Sequence, residues 1–225
     1  MLGWIHRDFD WDWDAARTEL ERARRLDPND PYVLADLAFM TGGISGHFDQ
    51  QIEHLHRVLS HDPLDSDALQ NLSWVLFAAD RLEESVASWR KLIELNPTYA
   101  SGQASLGRTL LLMGRYPEAR AAVEKESDEA WRLSVLPAVA WASGRRAESD
   151  VALGQLKRKY AEDFPFQIAQ MHAYRGETEA AFEWLDRAYR QHDPSMITVQ
   201  IDPLLRGLRA DRRFRALLVQ MKLVE

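Results

Sequence analysis

An acidic or amide residue followed by proline recurs along this chain at a nearly fixed interval. Asp27-Pro28, Asp62-Pro63 and Asn96-Pro97 each follow an amphipathic stretch, and they lie 35 and then 34 residues apart. Proline ends a helix because it has no amide hydrogen to donate and its ring clashes with the preceding turn. A period in this range is typical of one supersecondary unit that stacks on copies of itself. The spacing therefore predicts a solenoid of helical units.

The clearest unit runs from Ser66 to Pro97. Its apolar residues recur on helical spacing and predict a first helix over Asp67–Ala79 and a second over Glu83–Leu95. The turn between them is Asp80-Arg81-Leu82. The next unit places Gly114-Arg115-Tyr116 at the same position, and glycine suits a helix end because a left-handed backbone costs it little. Further turns at Gly144 and Gly176 predict shortened units downstream.

Small residues recur where the two helices of a unit should touch. Gly107 stands where the preceding unit has Ser73, and Ala119 stands where it has Ser85. Small side chains at these positions allow a close helix approach. Two residues depart from the pattern. Gln51 replaces the usual small residue, and Pro137 lies inside a predicted helix, which it should kink or restart. A glycine-rich break at residues 42–46 should lengthen the turn of its unit.

The combined pattern of small residues, turns, spaced alanines and closing prolines resembles the tetratricopeptide repeat over about Ala15 to Pro194. The resemblance implies an all-α fold, a right-handed α-α superhelix with a C-terminal helical cap. We expect residues 1–194 to form five to six helix pairs, the first incomplete or interrupted, and 195–225 to cap the same domain. Val199, Ile201, Leu204, Leu205 and Leu208 should cover the last open face, before a helix over Asp211–Met221 with Asp211 as its N-cap.

The start of the chain resembles a bacterial subgroup of these repeats. The segment Asp10-Trp11-Asp12-Trp13 is typical of a joint between the two helices of one repeat in that subgroup, and Asp202-Pro203-Leu204-Leu205 resembles its ending. Such arrays often form the C-terminal part of winged-helix regulators, adenylate cyclase-like proteins or protein kinases. The resemblance implies an effector domain upstream of Met1, or a stand-alone relic of such a protein. We expect the tryptophans to bury against their own helix pair and the aspartates to face water or cap a helix.

Composition excludes several classes of function. A net charge of -7 disfavours broad nucleic-acid binding, which requires a basic surface that displaces counterions from phosphates. The chain has no cysteine, so disulfides, thiolate metal sites and cysteine nucleophiles are absent. No run of 18 apolar residues predicts a membrane span, and the N-terminus lacks the features of a secretory signal. We expect a cytoplasmic protein.

The candidate catalytic and metal-binding groups do not combine into a known site. His47, His54 and His61 are spaced by seven residues, whereas helical zinc ligands are usually three or four apart, and His54 and His56 point about 200 degrees apart on a helix. The carboxylates of Asp10, Asp12 and Asp14 fit a structural role. No phosphate-binding glycine loop or nucleophile motif is present. We therefore expect no enzyme activity, no cofactor and no metal.

The remaining candidate site is the concave groove, which the first helices of such arrays line. The resemblance places ten residues there: Phe39, Gln70, Trp74, Phe77, Arg108, Leu111, Ala138, Trp141, Gln170 and Tyr174. Aromatic and arginine side chains suit an extended peptide or a partner helix, or a segment of the chain itself. We expect Trp74, Phe77, Arg108 and Tyr174 to make contacts, although packing in the core is an equally good interpretation of each. Alternatives are oligomerisation through an open first half-repeat, Met1 to Phe9, and a small-molecule pocket between the groove walls.

Overall fold

A computed structural model describes residues 2–42, 44 and 46–224, and within these ranges every regular element is helical. Met1, Gly43, Ser45 and Glu225 lie outside the described residues, so the predicted glycine-rich break is described only in part. The described helices form six consecutive pairs. The first three pairs are α1 (Leu2–Ile5), extended by a π-helical turn over His6–Asp10, with α2 (Trp13–Leu26); α3 (Pro31–Thr41) with α4 (Asp49–His61); and α5 (Ser66–Ala78) with α6 (Leu82–Leu95).

The last three pairs continue the stack. They are α7 (Gly102–Leu112) with α8 (Tyr116–Lys125); a divided first helix, α9 (Glu129–Leu133) and α10 (Leu136–Ala142), with α11 (Arg146–Tyr160); and α12 (Pro165–Tyr174) with α13 (Thr178–Arg190). Two short 3-10 helices, Pro194–Thr198 and Pro203–Leu208, and a final helix, α14 (Arg212–Gln220), complete the chain. We call residues 194–208 the inner segment.

Aspartates before and after Pro28 and Pro63 set the boundaries of the early helices. The Asp62 carboxylate accepts the Leu64 amide at 3.0 Å, which turns the chain after α4. Three residues later, Asp65 is the N-cap of α5 and accepts the Ala68 amide at 2.9 Å. Asp27 and Asp30 repeat this arrangement between α2 and α3. The recurring Asp-Pro pairs thus belong to a turn that ends one helix and caps the next.

The turn within each pair requires a left-handed residue. Gly114 adopts φ of 72°, and Asp80 adopts φ of 62° at the same position of the preceding pair. Pro137 restarts its helix, as predicted: α9 ends at Leu133, and Pro137 lies in the first turn of α10. The helices predicted at Asp67–Ala79 and Glu83–Leu95 agree with α5 and α6 to within one residue.

The two helices of the fourth pair pack closely at Gly107. A Cβ atom there would collide with the Val123 side chain and lie 3.0 Å from the Ala119 carbonyl oxygen. In the third pair, the Ser85 hydroxyl at the equivalent contact donates to the Ser73 carbonyl at 2.7 Å. These contacts explain why the pattern demands small residues at these positions.

The two ends of the stack contact each other. Trp11 is buried against α13 and the turn that follows this helix. The centre of the Trp11 ring lies 5.3 Å from that of Tyr189 and 4.6 Å from that of His192, and the rings are stacked. Trp13 Nε1 donates to the Met221 carbonyl at 2.7 Å. The expectation that these tryptophans bury against their own helix pair is therefore wrong for Trp11. Asp12 does cap α2, by accepting the Ala15 amide at 3.0 Å.

We predict opposite effects of the same substitution at two helical glycines. Gly107→Ala should lower the free energy of unfolding by about 1 kcal/mol, because overpacking against Val123 and Ala119 exceeds the gain in helix propensity. Gly154→Ala should raise it by about 0.5–1 kcal/mol, because a Cβ there meets only the flexible end of Arg158. Urea denaturation measures both. A stabilised Gly107→Ala protein would contradict the close approach described here.

Candidate functional site

Three first helices present one face each to a shared cavity of about 470 Å³. The residues that line it follow helical spacing on every helix: Trp4, Arg7 and Asp8; Tyr32, Ala35, Asp36 and Phe39; Asp67, Gln70, Asn71 and Trp74. Residues three and four apart lie on the same face of a helix, which explains this spacing. We call this space the N-terminal cavity. Gln51 and Leu55 of α4, and Ile197 and Thr198 of the inner segment, complete its lining.

Arg7 lies on one side of the N-terminal cavity, where it pairs with the carboxylates of Asp8 and Asp36. Its guanidinium donates to Asp36 Oδ1 at 2.9 Å and to Asp8 Oδ1 at 2.5 Å, and it lies 5.5 Å from the centre of the Phe39 ring. Trp4 Nε1 also donates to Asp36. Phe39 is buried beneath this network, so it contributes apolar surface under the cation and little exposed area.

The polar side chains on the other side of the cavity have fewer internal partners. Asp67 is exposed, and Gln70 and Trp74 are half-buried on the same face of α5. Gln51 is only 9% exposed, and its Oε1 atom has no hydrogen-bond partner among the described residues. A buried acceptor without a donor is costly to the fold. Gln51 therefore leaves one enclosed acceptor without an internal donor among the described residues.

The middle of the inner face is occupied by the chain's own inner segment. Asp202 is 1% exposed and accepts Gln170 Nε2 at 2.6 Å through its Oδ2 atom. Its Oδ1 atom accepts the Leu204 amide at 2.8 Å and so caps the second 3-10 helix. Ile201 packs among residues of α3, α4 and α5, and Leu204 packs into the central core. The groove is thus filled from within along this part.

Burial changes the pKa values of the charged groups beneath the inner segment. It raises the pKa of the Asp202 carboxyl above its ordinary value, while the positive charge of Arg108 counteracts this rise. Burial likewise lowers the pKa of Arg108, and the Asp202 charge opposes that change. The Arg108 guanidinium lies 5.0 Å from the centre of the Phe77 ring. Arg108 Nε is enclosed without a hydrogen-bond partner among the described residues.

The predicted groove residues fall into three groups. Phe39, Gln70 and Trp74 line the N-terminal cavity. Phe77, Arg108, Leu111, Ala138 and Gln170 lie in the central part of the inner face or in the core beneath it; Phe77 and Gln170 are each 2% exposed, and Leu111 and Ala138 share a core cluster with Leu204. Trp141 and Tyr174 form the third group. The inner segment thus covers the central group, whereas the first group lines the accessible N-terminal cavity.

Trp141 is held between two arginines, away from the N-terminal cavity. The guanidinium carbon of Arg146 lies 3.3 Å from the centre of a Trp141 ring, and that of Arg175 lies 4.6 Å away. Arg175 also pairs with Asp150 at 2.5 Å and with Glu177 at 2.7 Å. Tyr174 is half-buried, and this burial raises its pKa. Both aromatic side chains therefore have structural contacts within the fold.

Sequence reasoning missed several residues of the cavity. Tyr32, Asp36 and Asp67 were not assigned, although they lie one to two turns before Phe39 and Trp74 on the same helix faces. Extending the predicted stripe toward the start of each helix would have found them. Asp202 was missed for another reason. Its position in an Asp-Pro pair predicts a turn, but nothing local indicates that the turn lies across the inner face.

The described residues contain no group of three or more histidine, aspartate or glutamate side chains placed to hold a metal ion. His54 is half-buried, and burial and the nearby Arg57 lower its pKa. Among the described helices, none combines the length and the apolar character needed to cross a bilayer.

Comparison with known proteins agrees with this architecture. The family model of the tetratricopeptide repeat matches residues 66–99, which comprise α5, α6 and the turn that follows. The chain has the tetratricopeptide repeat fold. Three solved structures superpose on most of this chain. Their sequence identity to it is low, so they support the fold alone.

The first is TTC0263, a thermophilic tetratricopeptide repeat protein of Thermus thermophilus, with 22% identity and a TM-score of 0.58 over 76% of this chain and 91% of that one. A tetratricopeptide repeat protein of Parabacteroides merdae has 13% identity and a TM-score of 0.57 over 97% of each chain. PilW, a type IV pilus biogenesis factor, has 17% identity and a TM-score of 0.57 over 88% of this chain and 90% of its own. No curated protein sequence matches the chain.

We predict that Asp202 anchors the inner segment. Asp202→Ala should lower the free energy of unfolding by about 1.5–3 kcal/mol, because Gln170 Nε2 and the Leu204 amide lose a buried charged acceptor and the Arg108 cation loses the negative charge that opposes its burial. Arg108→Met combined with Asp202→Ala should cost less than the sum of the single substitutions. Asp186→Ala, which removes an exposed ion pair with Arg190, should cost less than about 0.5 kcal/mol. Chemical denaturation tests all four proteins. Additive effects at residues 108 and 202 would contradict the coupling.

Proposed function

We propose that this protein is a non-enzymatic interaction scaffold that binds an extended segment of a partner protein in the N-terminal cavity. Proteins with tetratricopeptide repeats are generally interaction scaffolds, and they are typically non-enzymatic. One observation carries the proposal for this chain. The inner segment fills the central part of the inner face, whereas the N-terminal cavity remains accessible and contains aromatic side chains.

The chemistry of the cavity suits a peptide. Tryptophan, tyrosine and arginine dominate binding energies at protein interfaces, and Trp4, Tyr32 and Trp74 supply large rigid surfaces here. Gln70 and Asn71 add polar groups that can pair with a peptide backbone. A second cavity of about 810 Å³ shares Trp4, Tyr32, Asp36 and Asp67 with the first and extends along α2, which gives room for several residues of an extended segment.

We further propose a wider setting for this binding. The Asp10-Trp11-Asp12-Trp13 joint supports a role as the sensory or regulatory part of a bacterial signalling or transcription-regulatory protein in the cytoplasm. Residues 1–194 and 195–225 would then act as one unit, because the inner segment joins the array to α14. Partner binding would occur next to Ile197 and Thr198, the end of the inner segment that lines the cavity.

Selection from a library of random displayed peptides tests the proposed site. Peptides that bind the protein should lose at least tenfold in affinity on Trp74→Ala, because a cavity aromatic of this kind contributes more than about 1.4 kcal/mol. Tyr116→Ala removes a partly exposed tyrosine outside the cavity and should leave affinity unchanged. Circular dichroism confirms that both variants keep their helicity. Binding that is insensitive to Trp74 would place the interaction elsewhere.

A second candidate function is oligomerisation through the first helix pair. Leu2, Ile5 and Phe9 are 56%, 43% and 52% exposed, an apolar group at the start of the stack. A second copy could cover them, although Trp11 and Trp13 contact the C-terminal part of the same chain. Sedimentation velocity should then show association that weakens on Leu2→Asp. A protein that stays monomeric at every concentration would remove this candidate. The remaining alternative is a small-molecule pocket, and a rise in melting temperature with small metabolites would favour it.

A further inference from the structure

We infer that a cavity between the C-terminal part of the chain and the second and third helix pairs binds a small carboxylic acid with an apolar body, and that Arg209 receives its carboxylate. The cavity has a volume of about 480 Å³. We call it the seam cavity, because it lies where the stack closes on itself. This site is separate from the N-terminal cavity and does not depend on the proposed peptide binding.

Two walls that are far apart in the sequence enclose the seam cavity with apolar side chains. One wall comes from the turn before α4 and the end of α5, and it includes Phe48 and Ala78. The other comes from the inner segment and α14, and it includes Ile201, Phe214 and Leu218. Cavities of about 300–1,000 Å³ with apolar walls and a few polar groups are typical of small-molecule sites. A ligand here would contact both sides of the closure.

Arg209 supplies a cation on the lining of the seam cavity, and most of its hydrogen-bonding capacity is unused. Its Nη2 atom donates to the Asp202 carbonyl oxygen at 3.3 Å. Within the described ranges of the chain, no carboxylate forms a salt bridge with it. A guanidinium carries five N–H donors in a planar fork, and a carboxylate can accept two of them in parallel. Arg209 can therefore bind an anion without breaking an internal ion pair.

The charges around the seam cavity leave an excess of positive charge. Asp80 also lines the cavity, but its carboxylate pairs with Arg206 at 3.3 Å. The buried Asp202 carboxylate acts on two cations, Arg108 and Arg209. Three arginines thus face two aspartates in this region. Partial burial and the charge of Arg206 lower the pKa of Arg209, and the Asp202 charge opposes this change. An anion beside Arg209 would complete the balance.

A monocarboxylate with an apolar body matches both features of the seam cavity. Its single negative charge balances the excess cation, whereas a phosphate would bring a second negative charge toward Asp80. Its planar head matches the guanidinium fork. Its apolar body would cover side chains such as Ile201 and Phe214. A neutral amide of the same shape would keep the apolar contacts and lose the charge-assisted hydrogen bonds, so the charge should decide the affinity.

The probes for this inference are phenylpropionate, which has an aromatic body, and hexanoate, which has an alkyl body. Phenylpropionamide and hexanamide are their neutral controls of the same shape. In calorimetric titrations at constant ionic strength, at least one of the acids should bind saturably at a single site, and its amide should bind at least tenfold more weakly. The same acid should raise the melting temperature of the protein, because a ligand that binds the folded chain alone stabilises it.

Substitutions on the two walls test the assigned site. Arg209→Met keeps an unbranched side chain without the charge and should weaken binding of the acid about tenfold, the effect expected for loss of a hydrogen bond to a charged group. Arg209→Lys keeps the charge without the planar fork and should give an intermediate affinity. Ala78→Leu should weaken binding because it fills the opposite wall. Arg190→Met, which changes an exposed arginine outside the cavity, is the matched control and should leave the affinity unchanged.

Hydrogen exchange locates the bound acid independently of the variants. Amide exchange should slow in both walls, at residues 78–81 and 200–209, when the acid is present. Slower exchange confined to other parts of the chain would overturn the inference. It would also be overturned if neither acid bound saturably, if the amides bound as tightly as the acids, or if Arg209→Met kept the full affinity. None of these results bears on peptide binding through Trp74, which is measured in a different cavity.

Discussion

Each helix pair in this fold has an apolar face that it cannot bury alone, and the rest of the structure follows from this constraint. Interior pairs bury that face against their neighbours, but the two ends of a stack remain open. This chain covers part of its ends with its own sequence. Trp11 of the first pair packs against α13, and the inner segment joins α12 to the clusters around α3, α4 and α5. The result is a stack whose first and last pairs share contacts.

This closure changes how stability should be distributed. In an open repeat array, stability is close to a sum of repeat and nearest-neighbour terms. Here Ile201 and Leu204 contact different core clusters, and Arg206 pairs with Asp80 at 3.3 Å across more than half of the sequence. A substitution of Asp202 would therefore destabilise both ends of the stack. Cooperativity should exceed that of an open array of the same length.

Much of the fold could be predicted because its determinants are local. Pro137, Gly114 and the Asp-Pro pairs act within one or two turns, so their effects appear in the sequence at fixed spacing. The candidate site was predicted less well. Helical periodicity identifies Gln170 and Phe77 as inward-facing, but it does not reveal that the inner segment covers them. The partners of Trp11 lie more than 170 residues away, at Tyr189 and His192, and no local pattern indicates contacts at that distance.

The position of the N-terminal cavity would connect the proposed binding to the closure of the stack. Ile197 and Thr198 line the cavity and belong to the inner segment, which also holds Asp202 and Leu204 in the centre of the molecule. A ligand that binds the folded chain and not the unfolded chain stabilises it in proportion to the logarithm of its concentration over its dissociation constant. Because the occupied surface includes the segment that links the pairs, this stabilisation would extend beyond the first three pairs. Binding at one end would thus stabilise the whole array without any change in its architecture.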